Sequence, residues 1–188
     1  MTNEQIKYSL ATQELKLSFW EKTSHYLLVI YMLITPILYG FLYIKDYIEG
    51  VTHEFRFGEI LIIVITSLIG IFIYKIQRNR LKFKVVNTML SKETIVEVIE
   101  KVAKKLEWYP QFIDDKVFIA ITHPKFRSGS WGEQITILFD NNRLLVNSIC
   151  DPNKNAAIFS MGRNKKNENS IIEEINNYSD LIKFNKTK

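Results

Sequence analysis

Hydrophobic positions along this chain follow three kinds of pattern. The first is a pair of apolar runs. Residues 26–44 (YLLVIYMLITPILYGFLYI) carry no charge over 19 positions, and residues 57–74 (FGEILIIVITSLIGIFIY) carry only Glu59 over 18. A helix rises about 1.5 Å per residue, so about 20 residues cross a hydrocarbon core of about 30 Å. Both runs predict transmembrane helices, the second close to the lower length limit. Tyr26, Tyr43, Tyr47 and Tyr74 fall at the predicted edges, where amphipathic rings favour the headgroup layer. Two all-apolar helices inside a soluble protein would need a large surrounding shell, and little chain remains to build one. The first run also exceeds the apolar core of a cleaved signal peptide, about 7–15 residues, and Lys45-Asp46-Tyr47 is a poor cleavage site. Pro36 sits mid-span and predicts a kink. Thr66 and Gly70 form a small-xxx-small pair that would suit a close helix contact.

The second pattern has the helical period. Ser91 reads as an N-cap with Glu93 in the first turn, and Ile95, Val98, Ile99, Val102 and Leu106 recur on one face. Glu97, Glu100, Lys101, Lys104 and Lys105 lie opposite, and the helix should end around residues 108–110. Ser170-x-x-Glu173 reads as a capping box opening a short helix with Ile171, Ile172, Ile175 and Tyr178 on its apolar side.

The third pattern alternates. Residues 117–122, 134–139 and 144–149 read as strands, the last two joined by Asp140-Asn141-Asn142-Arg143. Asn-Asn suits a two-residue hairpin turn because asparagine tolerates positive φ. That register pairs Asp140 with Arg143, Phe139 with Leu144, Ile137 with Val146 and Ile135 with Ser148. One face then carries Ile135, Ile137, Phe139, Leu144 and Val146, the expected helix-covered core. The other carries Gln134, Thr136, Asn147 and the pair Leu138/Leu145. Residues 151–155 (DPNKN) read as a turn, and residues 156–161 as a fourth strand. The expected fold is a membrane α-helical hairpin followed by a small α+β domain. That domain has the order α-β-β-β-β-α, an antiparallel sheet of about four strands with helices on one face.

Charge changes this picture by supplying an orientation. The formal net charge is +5, yet Lys75, Arg78, Arg80, Lys82 and Lys84 alone contribute five positive charges within ten residues. Residues 45–59, the connector and the start of the second run, are acidic, with Asp46, Glu49, Glu54 and Glu59 against Lys45 and Arg56. The positive-inside bias therefore places residues 75–188 and the N-terminus in the cytoplasm of a two-pass plasma or inner membrane protein. The expected organisation follows. Residues 1–25 are a cytoplasmic segment, 26–44 and 57–74 the spans, and 45–56 an outward loop. Residues 75–90 are a basic helical stalk, 91–182 the α+β domain and 183–188 a flexible tail. In residues 1–25, Ile6, Leu10, Leu17 and Trp20 approximate one helical stripe, which fits either an interfacial helix on the inner leaflet or a frayed tail.

Candidate chemistry is sparse. His25, His53 and His123 are scattered, Cys150 is the single cysteine, and no metal or cofactor is expected. Two glycine-containing basic segments, residues 127–132 and 162–167, combine features an anion site requires, without Walker or dinucleotide spacing. An anionic ligand would therefore be sought at Arg127, Trp131, Arg143, Arg163, Lys165 and Lys166. The cluster Lys75, Arg78, Arg80, Lys82 and Lys84 suits anionic headgroups, each basic residue contributing about 1 kcal/mol near such a surface. Nucleic acid is not expected, because a domain excess of two charges outside that cluster is small.

The leading expectation is thus an integral membrane protein presenting a cytoplasmic binding or scaffolding domain, with the bilayer and a protein partner or second copy as partners. An alternative is an oligomeric membrane-perturbing or channel-like effector under that domain's control. Pro36, Thr66, Ser67 and Gly70 motivate it, and the lack of a charge deep in either span counts against it. An enzyme would require Arg143, Glu133, Asn147 or His123 to converge in one cleft.

Overall fold

A computed structural model of the chain describes residues 1–51, 56–124, 129–154 and 160–186. In chain order the elements are α1 (Asn3–Thr12), α2 (Phe19–Ile48), α3 (Phe57–Arg80), β1 (Lys84–Asn87), α4 (Lys92–Leu106), β2 (Trp108–Ile113), β3 (Val117–Thr122), β4 (Glu133–Asp140), β5 (Arg143–Cys150) and α5 (Arg163–Lys186).

The two apolar runs are the cores of α2 and α3, which extend beyond them. Ser18 begins α2 with a capping box. Its hydroxyl accepts from the Glu21 N–H and the Glu21 carboxylate accepts from the Ser18 N–H, so helix starts well before Tyr26. The two helices form an antiparallel hairpin, long and apolar enough to cross a membrane. Only 6% of the α2 apolar window and 11% of the α3 window is buried, so neither is the core helix of a larger body. Gly70 is where they approach closely. A Cβ there would stand 3.2 Å from Leu33 Cδ2 and 3.3 Å from Met32 Cβ. Thr66, its expected companion, instead donates its hydroxyl to the Ile62 and Ile63 carbonyls of its own helix. The Tyr26 and Tyr74 rings meet at a tilt near the domain end, with centroids 5.5 Å apart.

The sheet is antiparallel throughout, in the order β1-β5-β4-β3-β2. The central hairpin has the expected register, from Asp140↔Arg143 through Ile135↔Ser148, and Asn141 takes the left-handed conformation at φ 48°. Ile135, Ile137, Phe139, Leu144 and Val146 form one core with Ile95, Val98, Ile99 and Val102 of α4 and Ile171 and Ile175 of α5.

Five strands replace the expected four. β1 arises from the segment expected to be a helical stalk: α3 stops at Arg80, and Lys84 is already paired with Val146. β2 follows α4 directly because Glu107, at φ 56°, closes that helix and turns the chain back along β3. Of the expected strand at 156–161, residues 156–159 lie outside the described residues, and Ser160 and Met161 belong to no strand. α5 begins at Arg163, not at Ser170, because the Ser160 hydroxyl accepts from the first-turn Asn164 N–H. It also runs through Lys186, where a flexible tail was expected.

Helices cover both faces of the sheet, not one. On the second face Ile6 of α1, Leu15 and Phe83 pack against Val117, Leu138, Leu145 and Ile149. The near-continuous apolar runs ITILF and LLV carry side chains for two cores, as strands buried on both faces require. α1 is therefore a helix that covers part of the sheet, not a frayed tail.

In place of the expected helical stalk, the described residues join hairpin and domain directly. The Leu15 N–H donates to the Leu81 carbonyl at 2.7 Å and the Phe83 N–H to the Gln13 carbonyl at 2.8 Å, flanking a Glu14↔Lys82 bridge.

Candidate functional site

The polar residues of the domain gather where the sheet ends toward the helical hairpin. Asn147 is fully buried in β5, yet its amide donates to the carbonyls of Arg80, at 2.7 Å, and Lys82, at 3.1 Å. It thereby satisfies carbonyls that the end of α3 leaves unpaired. His25 of α2 brings Nε2 within 3.1 Å of the Gln77 carbonyl, and the Ser24 hydroxyl donates to the Lys154 carbonyl at 3.2 Å. Ser24 and Asn147 thus tie α2 and α3 to the domain, and His25 ties the two helices to each other.

Glu133 opens β4 with no exposed surface. The Thr122 hydroxyl donates to Oε2 and the Ser130 hydroxyl to Oε1, each at 2.5 Å, and Arg163 Nη2 lies 2.9 Å from Oε2. Arg163 Nη2 also reaches the Thr122 hydroxyl at 3.0 Å and the His123 carbonyl at 3.2 Å. Gly132 allows this closure. At φ 120° it lies so near β3 that a Cβ would stand 2.3 Å from the Thr122 carbonyl oxygen.

A second polar chain continues along α5. Trp108 Nε1 donates to Asn167 Oδ1 at 3.2 Å, Asn167 Nδ2 to the Ser148 hydroxyl at 3.1 Å, and the Ser148 N–H to Glu168 Oε1 at 3.1 Å. Lys84 pairs with Glu168 at 2.9 Å and donates to Asn169 Oδ1 at 2.9 Å. Cys150 lies beside this chain, with Asn164 Nδ2 at 4.0 Å from its sulfur, and burial pushes its thiol pKa up. Such a thiol is a poor nucleophile at neutral pH. Among the described residues no group of three or more His, Cys, Asp or Glu side chains is placed to hold a metal.

The six residues at which an anionic ligand was sought are dispersed. Arg163 is held inside by Glu133. Lys165 and Lys166 are exposed on the outer side of α5, and Trp131 is 53% exposed beside Gly132. Arg143 pairs with Asp140 at the other end of β5, about 23 Å away by strand rise, and lines a separate cleft with Lys7, Lys92 and Asp115. Arg127 lies outside the described residues. The residues of the enzyme reading do not converge either. Glu133 and His123 share one end of the sheet, Asn147 faces α3, and Arg143 is at the far end.

The basic cluster divides. Lys84 is taken by Glu168 and Asn169, and the carbonyl of Arg80 is held by Asn147. Lys75, Arg78 and Lys82 remain exposed, along a groove of about 770 Å³ that also includes Ile71, Phe72 and Glu14. In the sequence Asn147 stands out only for the polar sheet face and the enzyme reading, and Gln77 and Ser24 not at all, although a lone amide within LLVNSIC or IYKIQRN is the kind of signal that marks a buried polar contact. Comparison with protein-family models, with curated proteins and with solved structures finds no match for this chain.

Proposed function

We propose that the chain is a two-pass membrane protein that holds a rigid α+β binding or scaffolding domain against the cytoplasmic surface of the plasma or inner membrane. The observation that carries this reading is a contrast of burial. α2 and α3 leave Ile37, Phe41, Leu68 and Phe72 each more than half exposed, while at one end Ser24 of α2 and Arg80 of α3 are pinned to the domain. Water does not favour such a surface, and hydrocarbon does.

The levels of the aromatic rings agree with this reading. Tyr26 and Tyr74 mark the domain end of the apolar belt, and Trp20, 78% exposed, stands six residues earlier on α2. At about 1.5 Å per residue that offset is about 9 Å, within reach of the headgroup layer. The basic residues past Tyr74 favour the cytoplasmic side for the domain. Binding is the reading of the domain because apolar surface stays uncovered on it: Met89 is 95% exposed, and edge strand β2 leaves Tyr109, Phe112 and Ile113 about half exposed.

The channel-like alternative has less to stand on. Gly70 is seated against α2, and the Thr66 hydroxyl is returned to its own helix. Alkaline carbonate extraction of membranes tests the proposal. The protein should stay in the membrane pellet, and release into the supernatant would contradict it.

A further inference from the structure

Lys75, Arg78 and Lys82 enter no ion pair among the described residues, unlike Lys84. Ile71, Lys75 and Arg78 recur at three- and four-residue spacing along one side of α3, and Phe72 and Lys82, the latter just past the helix end, line the same groove. The groove they line is therefore graded along the helix. Its lower wall is apolar, with Ile71 50% and Phe72 64% exposed, and its upper wall is cationic. Tyr74 lies at the change. From Phe72 to Arg78 the helix climbs about 9 Å, close to the distance from the top of an acyl chain through its phosphate.

We propose that this groove holds one anionic phospholipid, a reading that rests on the two-pass membrane assignment. Its acyl chain lies along Ile71 and Phe72, and its phosphate lies among Lys75, Arg78 and Lys82. The Arg78 guanidinium has the planar fork that suits two phosphate oxygens. Glu14 closes the groove on the α1 side and leaves it a net charge of +2, from three basic residues and one acid. A carboxylate there accepts from a headgroup hydroxyl and disfavours a second anion. The bound lipid would bridge α3 and the α1–α2 connection, at the place where Glu14 and Lys82 already pair through their backbones.

The test uses the full chain reconstituted in phosphatidylcholine vesicles, with trace spin-labelled phosphatidylglycerol or phosphatidylcholine as probe. The motionally restricted fraction should show about a fivefold preference for phosphatidylglycerol, as expected for a few partly screened cations. K75Q/R78Q/K82Q should erase the preference, and K165Q/K166Q, on the outer side of α5, should keep it. Equal association of both lipids with the wild type overturns the proposal, as does a preference that survives the triple substitution. If the triple variant fails to insert, R78Q alone should reduce the preference at least twofold, and no reduction counts against the site. Loss of the preference in excess inorganic phosphate would assign the groove to a free anion and overturn the lipid reading. A wild-type protein that fails to float with vesicles overturns the membrane assignment and this proposal together. One that floats without lipid preference overturns this proposal alone.

Discussion

Asn147 donates its side-chain amide to the Arg80 carbonyl at 2.7 Å, joining the middle of strand β5 to the last turn of α3. The asparagine amide has no water to take as a substitute partner, since Asn147 is fully buried. The contact therefore holds the domain at a fixed place on the hairpin. Asn147→Ala should destabilise the protein by about 1–3 kcal/mol, the usual cost of leaving buried polar groups unpaired. Hydrogen exchange at residues 80–84 should accelerate with it. Unchanged exchange there would mean that the α1–α2 connection alone fixes the domain.

Glu133 and Arg163 should behave as a coupled pair. Arg163→Met leaves a fully buried carboxylate with two hydroxyl donors, and Glu133→Gln leaves a mostly buried guanidinium without its counter-charge. Each substitution should cost about 3–5 kcal/mol, and the double variant should cost clearly less than the sum. Denaturant unfolding of the four proteins in detergent measures that coupling. Simple additivity would contradict it.

Cys150 should react slowly while the fold is intact. Burial raises its pKa, so less thiolate is present at a given pH than in the unfolded chain. Iodoacetamide should modify it readily only in denaturant. The sign of the linkage follows. A raised folded pKa means the folded state holds the proton more tightly. The associated stability is complete below the thiol's unfolded pKa and is lost as pH rises from there through the folded value. Cys150→Ala should flatten the fall in stability above about pH 8.5.

Two glycines should resist substitution for different reasons. Gly132→Ala sets a Cβ against the Thr122 carbonyl at an unfavourable positive φ, and should destabilise the domain by more than about 2 kcal/mol. Gly70→Ala meets side-chain atoms at 3.2–3.4 Å and should be milder, whereas Gly70→Leu should separate α2 from α3. Thermal unfolding in micelles ranks the three, and a harmless Gly70→Leu would remove the close contact from the account.

What could be read from the residues alone depended on how strong and how local each pattern was. The β4–β5 register was legible because five apolar alternations and an Asn-Asn turn agree. The two long helices were legible because each apolar run is longer than any strand needs. β1 escaped notice because KVVN is four residues long and follows a helix without punctuation. β2 escaped because Pro110 sits within it, tolerated on an edge strand with an irregularity between Pro110 and Phe112. The beginning of α5 was mistaken for a loop because its buried face there is polar. Asn164 and Asn167 meet Ser148 and Trp108, and that match requires the tertiary fold. For the same reason Arg163 looked like a ligand residue in the sequence, while its partner Glu133 lies thirty positions away.

In the proposed arrangement the hairpin crosses a membrane and holds the domain on its cytoplasmic side. Paired reporter fusions test it most directly, one after Lys188 and one inserted at Gly50, in the turn that follows α2. A reporter that works only in the cytoplasm should be active at Lys188 and silent at Gly50, and one that works only outside should show the reverse. A Lys188 reporter active outside, or both positions on the same side, would contradict it.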